Sequence, residues 1–333
     1  MNIYDISKLA GVSIATVSRV LNGNEKVSEK TKKKVLEVIE QQGYTPNIFA
    51  RGLGLNTMKT IGILCTDASD IYQAKAIFYI EDSLRSQGYD SILCCSGFGL
   101  QSKEKCMTIL LTKKVDALVL IGSSFVYEDE EKDRYIREAA THVPVMLLNA
   151  ALDVPNVYGV VSDDRQSVYD AAMHLIQNGV TDILYFYNSS SYSGKRKLLG
   201  YRQAMEEKGL LDEKRIHFFG KNAEDIPGMA NYLMQLHRNG LTFHGIITSD
   251  DQLALAAIKY AKKAGLSIPH DLRIIGYNNS MLACCSDPEL SSIDVQMETL
   301  CQKLVASLML ALKGEPVPAV TTLPGHIFYR ETT

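Results

Sequence analysis

Ile14, Ala15, Thr16, Ser18 and Arg19 combine small size, hydroxyls and a guanidinium on one face of a short stretch. A helix shown to solvent for stability alone favours Glu and Lys there. Small residues instead let a helix approach base edges closely, while hydroxyls and backbone N–H groups hold phosphates. The chemistry implied is nucleic-acid contact rather than bond making. No H-E-x-x-H, G-x-S-x-G or G-K-[ST] motif occurs in the chain. Gly97-Phe98-Gly99 imitates the start of a dinucleotide fingerprint, but Ser102 stands where a glycine is required and the strand before it is not the first. Seven cysteines occur singly or as neighbours without C-x-x-C spacing, which argues against a zinc site and a disulfide framework. They read as reduced, mostly buried small hydrophobes, and no cofactor is expected.

The face needs two helices to present it. Ile3, Ile6, Leu9 and Ala10 recur at helical spacing, Gly11 interrupts, and Val12 leads to Val17, Val20 and Leu21. Asn2 with Asp5, and Ser13 with Thr16, place cap-type oxygens where each helix begins. A third helix starts at Ser28-Glu29-Lys30-Thr31, with Val35, Leu36, Val38 and Ile39 as its expected buried stripe and Gly43 as its stop. Lys30, Lys32, Lys33 and Lys34 crowd its first half. Residues 1–60 carry nine Lys and Arg against five Asp and Glu, whereas the whole chain has a net charge of −3. Basic charge is thus segregated beside the candidate reader. Beyond it, Pro46 and Asn47 favour a helix that Gly52 and Gly54 weaken, each by about 1 kcal/mol relative to Ala. That connector should order only against something else.

At 333 residues the chain allows two or three domains, and its 46% hydrophobic and 22% charged content is ordinary for a globular protein. Neither an export signal nor an apolar run of membrane-spanning length is visible, so a cytoplasmic location without membrane contact is expected. From Thr60 onward, short apolar runs alternate with amphipathic helical stretches in two series, the first through Leu148 and the second from Val157 to Gly276. Repeated β-α order implies parallel sheets flanked by helices, hence two doubly wound units. A helix over Glu130 to Ala140, a helix over Lys195 to Lys208, a turn over Gly314 to Pro318 and a last strand over His326 to Tyr329 belong to this reading. Ligands bind such sheets at the C-terminal ends of their strands.

YDISKLAGVSIATVSRVLNG, VSEKTKKKVLEVIEQQGYTPN and a connector ending in Leu53, followed by VDALVLIG, LLGYRQAM, TSDDQLALAAI and IIGYNNS in order, resemble the lactose-repressor (LacI/GalR) family of bacterial transcription regulators. The resemblance spans essentially the whole chain. It implies an N-terminal all-α helix-turn-helix headpiece plus an α/β periplasmic-binding-protein-like body of two doubly wound parallel-sheet subdomains. The boundaries read as headpiece 1–45, hinge helix and linker 46–59, one subdomain 60–160 with 293–320, and the other 161–292 with 321–333.

By that resemblance Ile14 and Ala15 read bases, Arg19 contacts a guanine, and Leu53 wedges into the minor groove at the operator centre. Thr16, Ser18, Asn22, Asn47, Ala50 and Arg51 complete the expected DNA-facing set. The partners implied are a pseudo-palindromic double-stranded operator, a second copy of the chain as a homodimer, and a small-molecule effector, carbohydrate-like, in the body; repression is the usual family outcome. The expected ligand set is Ser69, Tyr72, Gln73, Asn149, Arg196, Lys197, Asp250 and Asn278. Several positions depart from the family pattern. Lys197 replaces an Arg, with Arg196 beside it; Asn278 and Asn149 stand where Asp is frequent; Asp250-Asp251 replaces Asn-Asp. Gln73 stands where the purine-repressor branch has a stacking aromatic, which leaves Tyr72 as the candidate stacking face. A phosphorylated carrier protein as corepressor ranks lower, because Cys301-Gln302-Lys303-Leu304-Val305 contains no Arg. A solute-binding protein without a DNA role and a Rossmann-like enzyme are the rival classes; the basic headpiece opposes the first and the missing motifs the second.

Overall fold

A computed structural model describes residues 2–21, 26–43, 57–220 and 225–333. Asn22, Asn47, Ala50, Arg51 and Leu53, and with them the expected hinge helix, lie outside the described residues. Three helices form the N-terminal unit: α1 (Ile3–Ala10), α2 (Ile14–Leu21) and α3 (Glu29–Gln41). The Asn2 side chain accepts from the Tyr4 and Asp5 backbone N–H groups, while the Asn2 N–H donates to Asp5 Oδ2 at 2.9 Å, a reciprocal cap. Gly11 ends α1 at φ 61°, a conformation that favours glycine. Ile6, Ala10, Val17, Val20 and Val35 are the buried core of the unit. Leu9 and Leu36, expected inside, are 54% and 44% exposed. The inner stripe of α1 runs Ile3, Ile6, Ser7, Ala10, and Leu9 falls roughly a third of a turn away from it; Leu36 is likewise one residue out of phase with Val35, Val38 and Ile39.

The body begins at β1 (Thr60–Cys65) and continues α4 (Ile71–Ser86), β2 (Asp90–Cys95), α5 (Leu100–Thr112), β3 (Ala117–Ile121), α6 (Arg134–Ala140), β4 (Val145–Leu148) and β5 (Val157–Ser162). There follow α7 (Asp164–Gln177), β6 (Ile183–Tyr187), α8 (Tyr192–Glu207), β7 (Ile216–Phe218), α9 (Ile226–Arg238), β8 (Gly245–Thr248), α10 (Asp251–Ala264), β9 (Arg273–Tyr277) and α11 (Met281–Cys285). The last stretch holds β10 (Ser291–Asp294), α12 (Met297–Leu312), β11 (Val320–Leu323) and β12 (His326–Phe328). The first sheet has the order β11-β5-β4-β3-β1-β2, all parallel. The second is β12-β10-β9-β8-β6-β7, parallel except for β12 against β10. Fully buried strands such as Ala117–Ile121 and Val145–Leu148 show why these runs are continuously apolar: helices cover both faces.

Three segments pass between the sheets: after Ser162, between Asp294 and Met297, and between Leu323 and His326. The first two shift the expected boundaries. β5 reaches Ser162 rather than 160, and β10 belongs to the second sheet through Asp294. The third comes from β11, which was not anticipated: Val320 to Leu323 pair with Gly159 to Ser162, so 321–323 complete the first sheet. α6 is shorter than the expected helix over Glu130 to Ala140, because the buried Asp133 carboxylate accepts from the Tyr127 and Asp129 N–H groups at 2.8 and 3.2 Å and holds the preceding residues as a turn. Of the cysteines, Cys65, Cys106 and Cys301 are buried, but Cys95, Cys284 and Cys285 are exposed, so fewer are core residues than expected. Among the described residues, no helix is long and apolar enough to cross a membrane.

Candidate nucleic-acid interface and binding cleft

In the N-terminal unit the Thr16 N–H donates to Ser13 Oγ at 3.1 Å, capping α2. Val17 and Val20 then bury inward, which turns Ile14, Ala15 and Arg19 outward; Thr16 and Ser18 are half-buried at the flank. Lys30, Lys33 and Lys34 of α3 are exposed. Lys34 Nζ lies 3.4 Å from where a Cβ on Gly11 would stand, so this cation sits beside the turn between α1 and α2. A capped helix thus offers its first turn with small side chains and an arginine, next to lysines. That arrangement suits entry into a major groove with phosphates alongside.

A cleft of about 1100 Å³ opens between the two sheets at the C-terminal ends of their strands. Of the eight expected residues, Ser69, Tyr72, Gln73, Asn149, Lys197, Asp250 and Asn278 line it. Each has a local cause. Asn149 and Asn278 follow β4 and β9 with φ of 61° and 95°, a region that Asn tolerates better than most residues. Asn149 is 7% exposed, and its Oδ1 has no partner; the buried Tyr72 hydroxyl and Ser280 Oγ have none either. Gln73 Oε1 is occupied, accepting from the Thr66 N–H at 2.8 Å, so this side chain fastens the β1 exit to α4. Ser69 Oγ donates to Asp67 Oδ1 at 2.6 Å at the mouth. Asp250 caps α10: Oδ1 accepts from the Leu253 N–H at 2.8 Å and Oδ2 from Asn188 Nδ2 at 2.6 Å, and burial holds its carboxyl above the usual range.

Lys197 Nζ donates to the Ser249 carbonyl at 2.9 Å and lies 3.5 Å from the centre of the Tyr277 ring. Burial pushes its ammonium down from the usual lysine range, opposed by Asp164, Asp250 and Asp251. Arg196 does not line the cleft, contrary to expectation. α8 starts at Tyr192, capped by Ser191, rather than at Lys195, and adjacent residues on a helix point about 100° apart. With Lys197 facing in, the Arg196 guanidinium stacks 3.2 Å from the Tyr192 ring centre and reaches Glu128 at 3.3 Å.

Residues outside the expected ligand set also shape the cleft and the turn beside it. Asp251, 2% exposed, accepts from Ser292 Oγ at 2.6 Å and the Ser280 N–H at 2.7 Å, and burial pushes its carboxyl up to about 6. It needs Gly276: a Cβ there would come within 2.4 Å of Asp251 Oδ1. Lys103, 1% exposed, donates to the Ser124 carbonyl at 2.6 Å and positions the turn at Ser123–Phe125; burial lowers its ammonium to about 8. From that turn Ser123 Oγ meets Ser191 Oγ at 2.8 Å, bridging the subdomains. Glu128 adds a second bridge, to Lys195 at 2.8 Å and to Arg196, and the Lys195 hydrogen bond holds its carboxyl below the usual range. The pairing adjacent to a glutamate 67 residues away is invisible to local pattern. Replacing Glu128 with Gln should speed amide exchange in residues 123–128 and 191–196 several-fold by hydrogen-exchange mass spectrometry. Because both partners are partly solvated, stability should fall by less than about 1 kcal/mol. Unchanged exchange would show that the bridge does not hold the cleft shut. Among the described residues, no group of His, Cys, Asp and Glu is arranged to hold a metal ion.

Comparison with known proteins gives two family matches: bacterial regulatory proteins of the lacI family over residues 2–47, and the periplasmic binding protein-like domain over 172–333. An HTH-type transcriptional regulator of Lachnoclostridium phytofermentans is 51% identical over 334 residues, covering 100% of this chain and 99% of that protein. Catabolite control protein A of Priestia megaterium is 31% identical, with the same 100% and 99% coverage. In fold, the chain is similar to a lac repressor dimer bound to operator and an anti-inducer, with a TM-score of 0.90 at 23% identity, covering 100% and 98% of the two chains. A CelR transcriptional regulator–cellobiose complex matches with a TM-score of 0.71 at 23% identity over 100% of each chain.

Proposed function

Since the chain belongs to the lacI family of bacterial regulatory proteins, we propose that it is a homodimeric repressor whose hold on a pseudo-palindromic operator is set by a carbohydrate-like molecule in the body cleft. One observation carries this reading: a single chain joins an outward-facing, small-residue helix to a cleft holding buried polar atoms without partners. Buried polar atoms almost always find partners, so Asn149 Oδ1 and the Tyr72 hydroxyl read as places for ligand hydroxyls. The solved relatives bound to operator and to cellobiose support the two halves by likeness.

Paired headpieces would occupy half-sites related by the dimer axis, with Ile14 and Ala15 against base edges and thymine methyls. The connector enters the body at Thr57, where Asp116 accepts from Thr57 Oγ and from the Met58 and Thr60 N–H groups at 2.9 to 3.0 Å. This clamp ties the connector's end to the first subdomain, so rotation of that subdomain moves the connector with it. The effector acts only through its difference in affinity for the two subdomain arrangements, typically about 1–3 kcal/mol of coupling. Fluorescence anisotropy of a labelled palindromic duplex, with and without sugars, tests the reading. Operator binding that no small molecule alters would overturn its regulatory half.

Arg19 gives a sharper test. Arg19 is exposed on the outward face of α2, and in this reading its guanidinium takes a guanine bidentately. Arg19→Ala should weaken binding by about 1–3 kcal/mol and relax discrimination at one operator position. An equal loss on every single-base variant of the duplex would assign Arg19 to phosphate instead.

A further inference from the structure

We infer that the cleft is built for an uncharged polyhydroxylated ring and against its phosphorylated form. The inference rests on the reading that this cleft takes a carbohydrate-like ligand, and it narrows the class. Phosphates are held by helix N-termini, arginine forks or mobile lysines. Among the described residues, four helices of eight residues or more start at this cleft: α4, α8, α10 and α12, of which α12 has no side-chain cap but carries the Glu298 carboxylate in its first turn, where it opposes an anion. α4 is capped by Asp70, whose Oδ1 accepts from the Gln73 N–H at 2.9 Å, and α10 by Asp250, so two of them already carry a carboxylate where a phosphate would sit. α8 is capped by Ser191, whose Oγ is engaged by the Gly194 N–H and by the Ser123 and Ser189 hydroxyls.

The cations fare no better. Among the described residues no arginine lines the cleft, and Arg196 is turned away onto Glu128. Lys197 is committed to the Ser249 carbonyl and sits among carboxylates. Lys75, the other lining cation, lies 5.0 Å from the centre of the Tyr79 ring on the exposed side of α4. Against these two stand Asp70, Asp250 and Asp251, with Asp294 and Glu298 on the side of α12. Burial raises the first three carboxyls; ionised they repel an anion, and protonated each offers a single O–H donor but no positive charge to balance a phosphate dianion. Asn149 Oδ1, buried and without a partner, needs a donor, which a ring hydroxyl supplies.

The test is calorimetric titration of the full-length protein with a matched panel. It comprises glucose, galactose, mannose, xylose, cellobiose, xylobiose, mannobiose and maltose, the available 6-phosphates of these sugars, and glucosamine as the cationic counterpart. At least one neutral sugar should bind, at least 30-fold more tightly than its phosphate and 10-fold more tightly than its amine. Asp70→Asn and Asp250→Asn keep a capping oxygen, so both should fold, and each should narrow the neutral-to-phosphate ratio at least threefold. A phosphate or amine that binds as tightly as its neutral parent overturns the inference. So does the absence of binding by every neutral sugar at 10 mM, or a ratio that both variants leave unchanged. Selective neutral binding without any change in operator affinity would instead sink the regulatory reading and leave this inference standing.

Discussion

Lys197→Ala is expected to abolish the effect of effector on operator affinity while leaving DNA binding without effector unchanged. The side chain is 7% exposed, and its ammonium donates to the Ser249 carbonyl and faces Asp164, Asp250 and Asp251. Truncation leaves that carbonyl short of a donor, at about 1–3 kcal/mol, and lets the carboxylates repel one another next to the ligand. Effector affinity should fall at least about 100-fold, close to 2.7 kcal/mol. Lys197→Arg separates charge from shape: a guanidinium keeps the charge but needs room for a planar fork, so binding should recover only in part. Calorimetric titration, with operator anisotropy in parallel, reads both arms. A normal effector response from the alanine variant would place Lys197 outside the ligand's reach.

Ile6→Ala should eliminate specific DNA binding at 37 °C while the body keeps its thermal transition and its ligand affinity. Ile6 is fully buried, in a core whose buried members among the described residues are Ile6, Ala10, Val17, Val20 and Val35. Removing such a side chain typically costs about 2–5 kcal/mol, and a unit of this size has little more than that in reserve. The operator affinity should drop more than about 100-fold, with loss of helical signal from a low-temperature phase of the melting curve. Leu9→Ala provides the contrast. That side chain is 54% exposed, so the same change in chemistry should alter stability by less than about 0.5 kcal/mol. Equal losses from Ile6 and Leu9 would mean that the inner and outer faces of α1 have been exchanged.

That contrast marks how far local pattern carries. Caps such as Asn2 with Asp5 and Ser13 with Thr16 act over three residues, so their oxygens declared the helix starts directly. Strands buried on both faces, such as Val145–Leu148, announced themselves as unbroken apolar runs. Phase was harder. Leu9 and Leu36 are apolar at nearly the right spacing, and only the packing of three short helices decides which stripe faces in. Arg196 and Lys197 posed the same problem, settled by where Ser191 starts α8. Contacts over long separations left no trace at all: Ser123 with Ser191, Glu128 with Lys195, and β11 with β5 join stretches whose own residues look unremarkable. The cleft's location was legible from sheet topology, but its charge balance depended on which side chains turn away from it.

Because the chain passes three times between the sheets, neither lobe of the body is a continuous run of residues. The edge strand beside β5 comes from 320–323, and the strand beside β10 from 326–328. During synthesis, at about 5–20 residues per second, the first five strands emerge long before their last neighbour exists. Both lobes must therefore wait, incomplete, until the segment from Ser291 onward leaves the ribosome, and they then close together. A nascent chain stalled at residue 290 should be degraded readily by protease in both lobes, whereas one stalled after residue 333 has cleared the exit tunnel should resist in both.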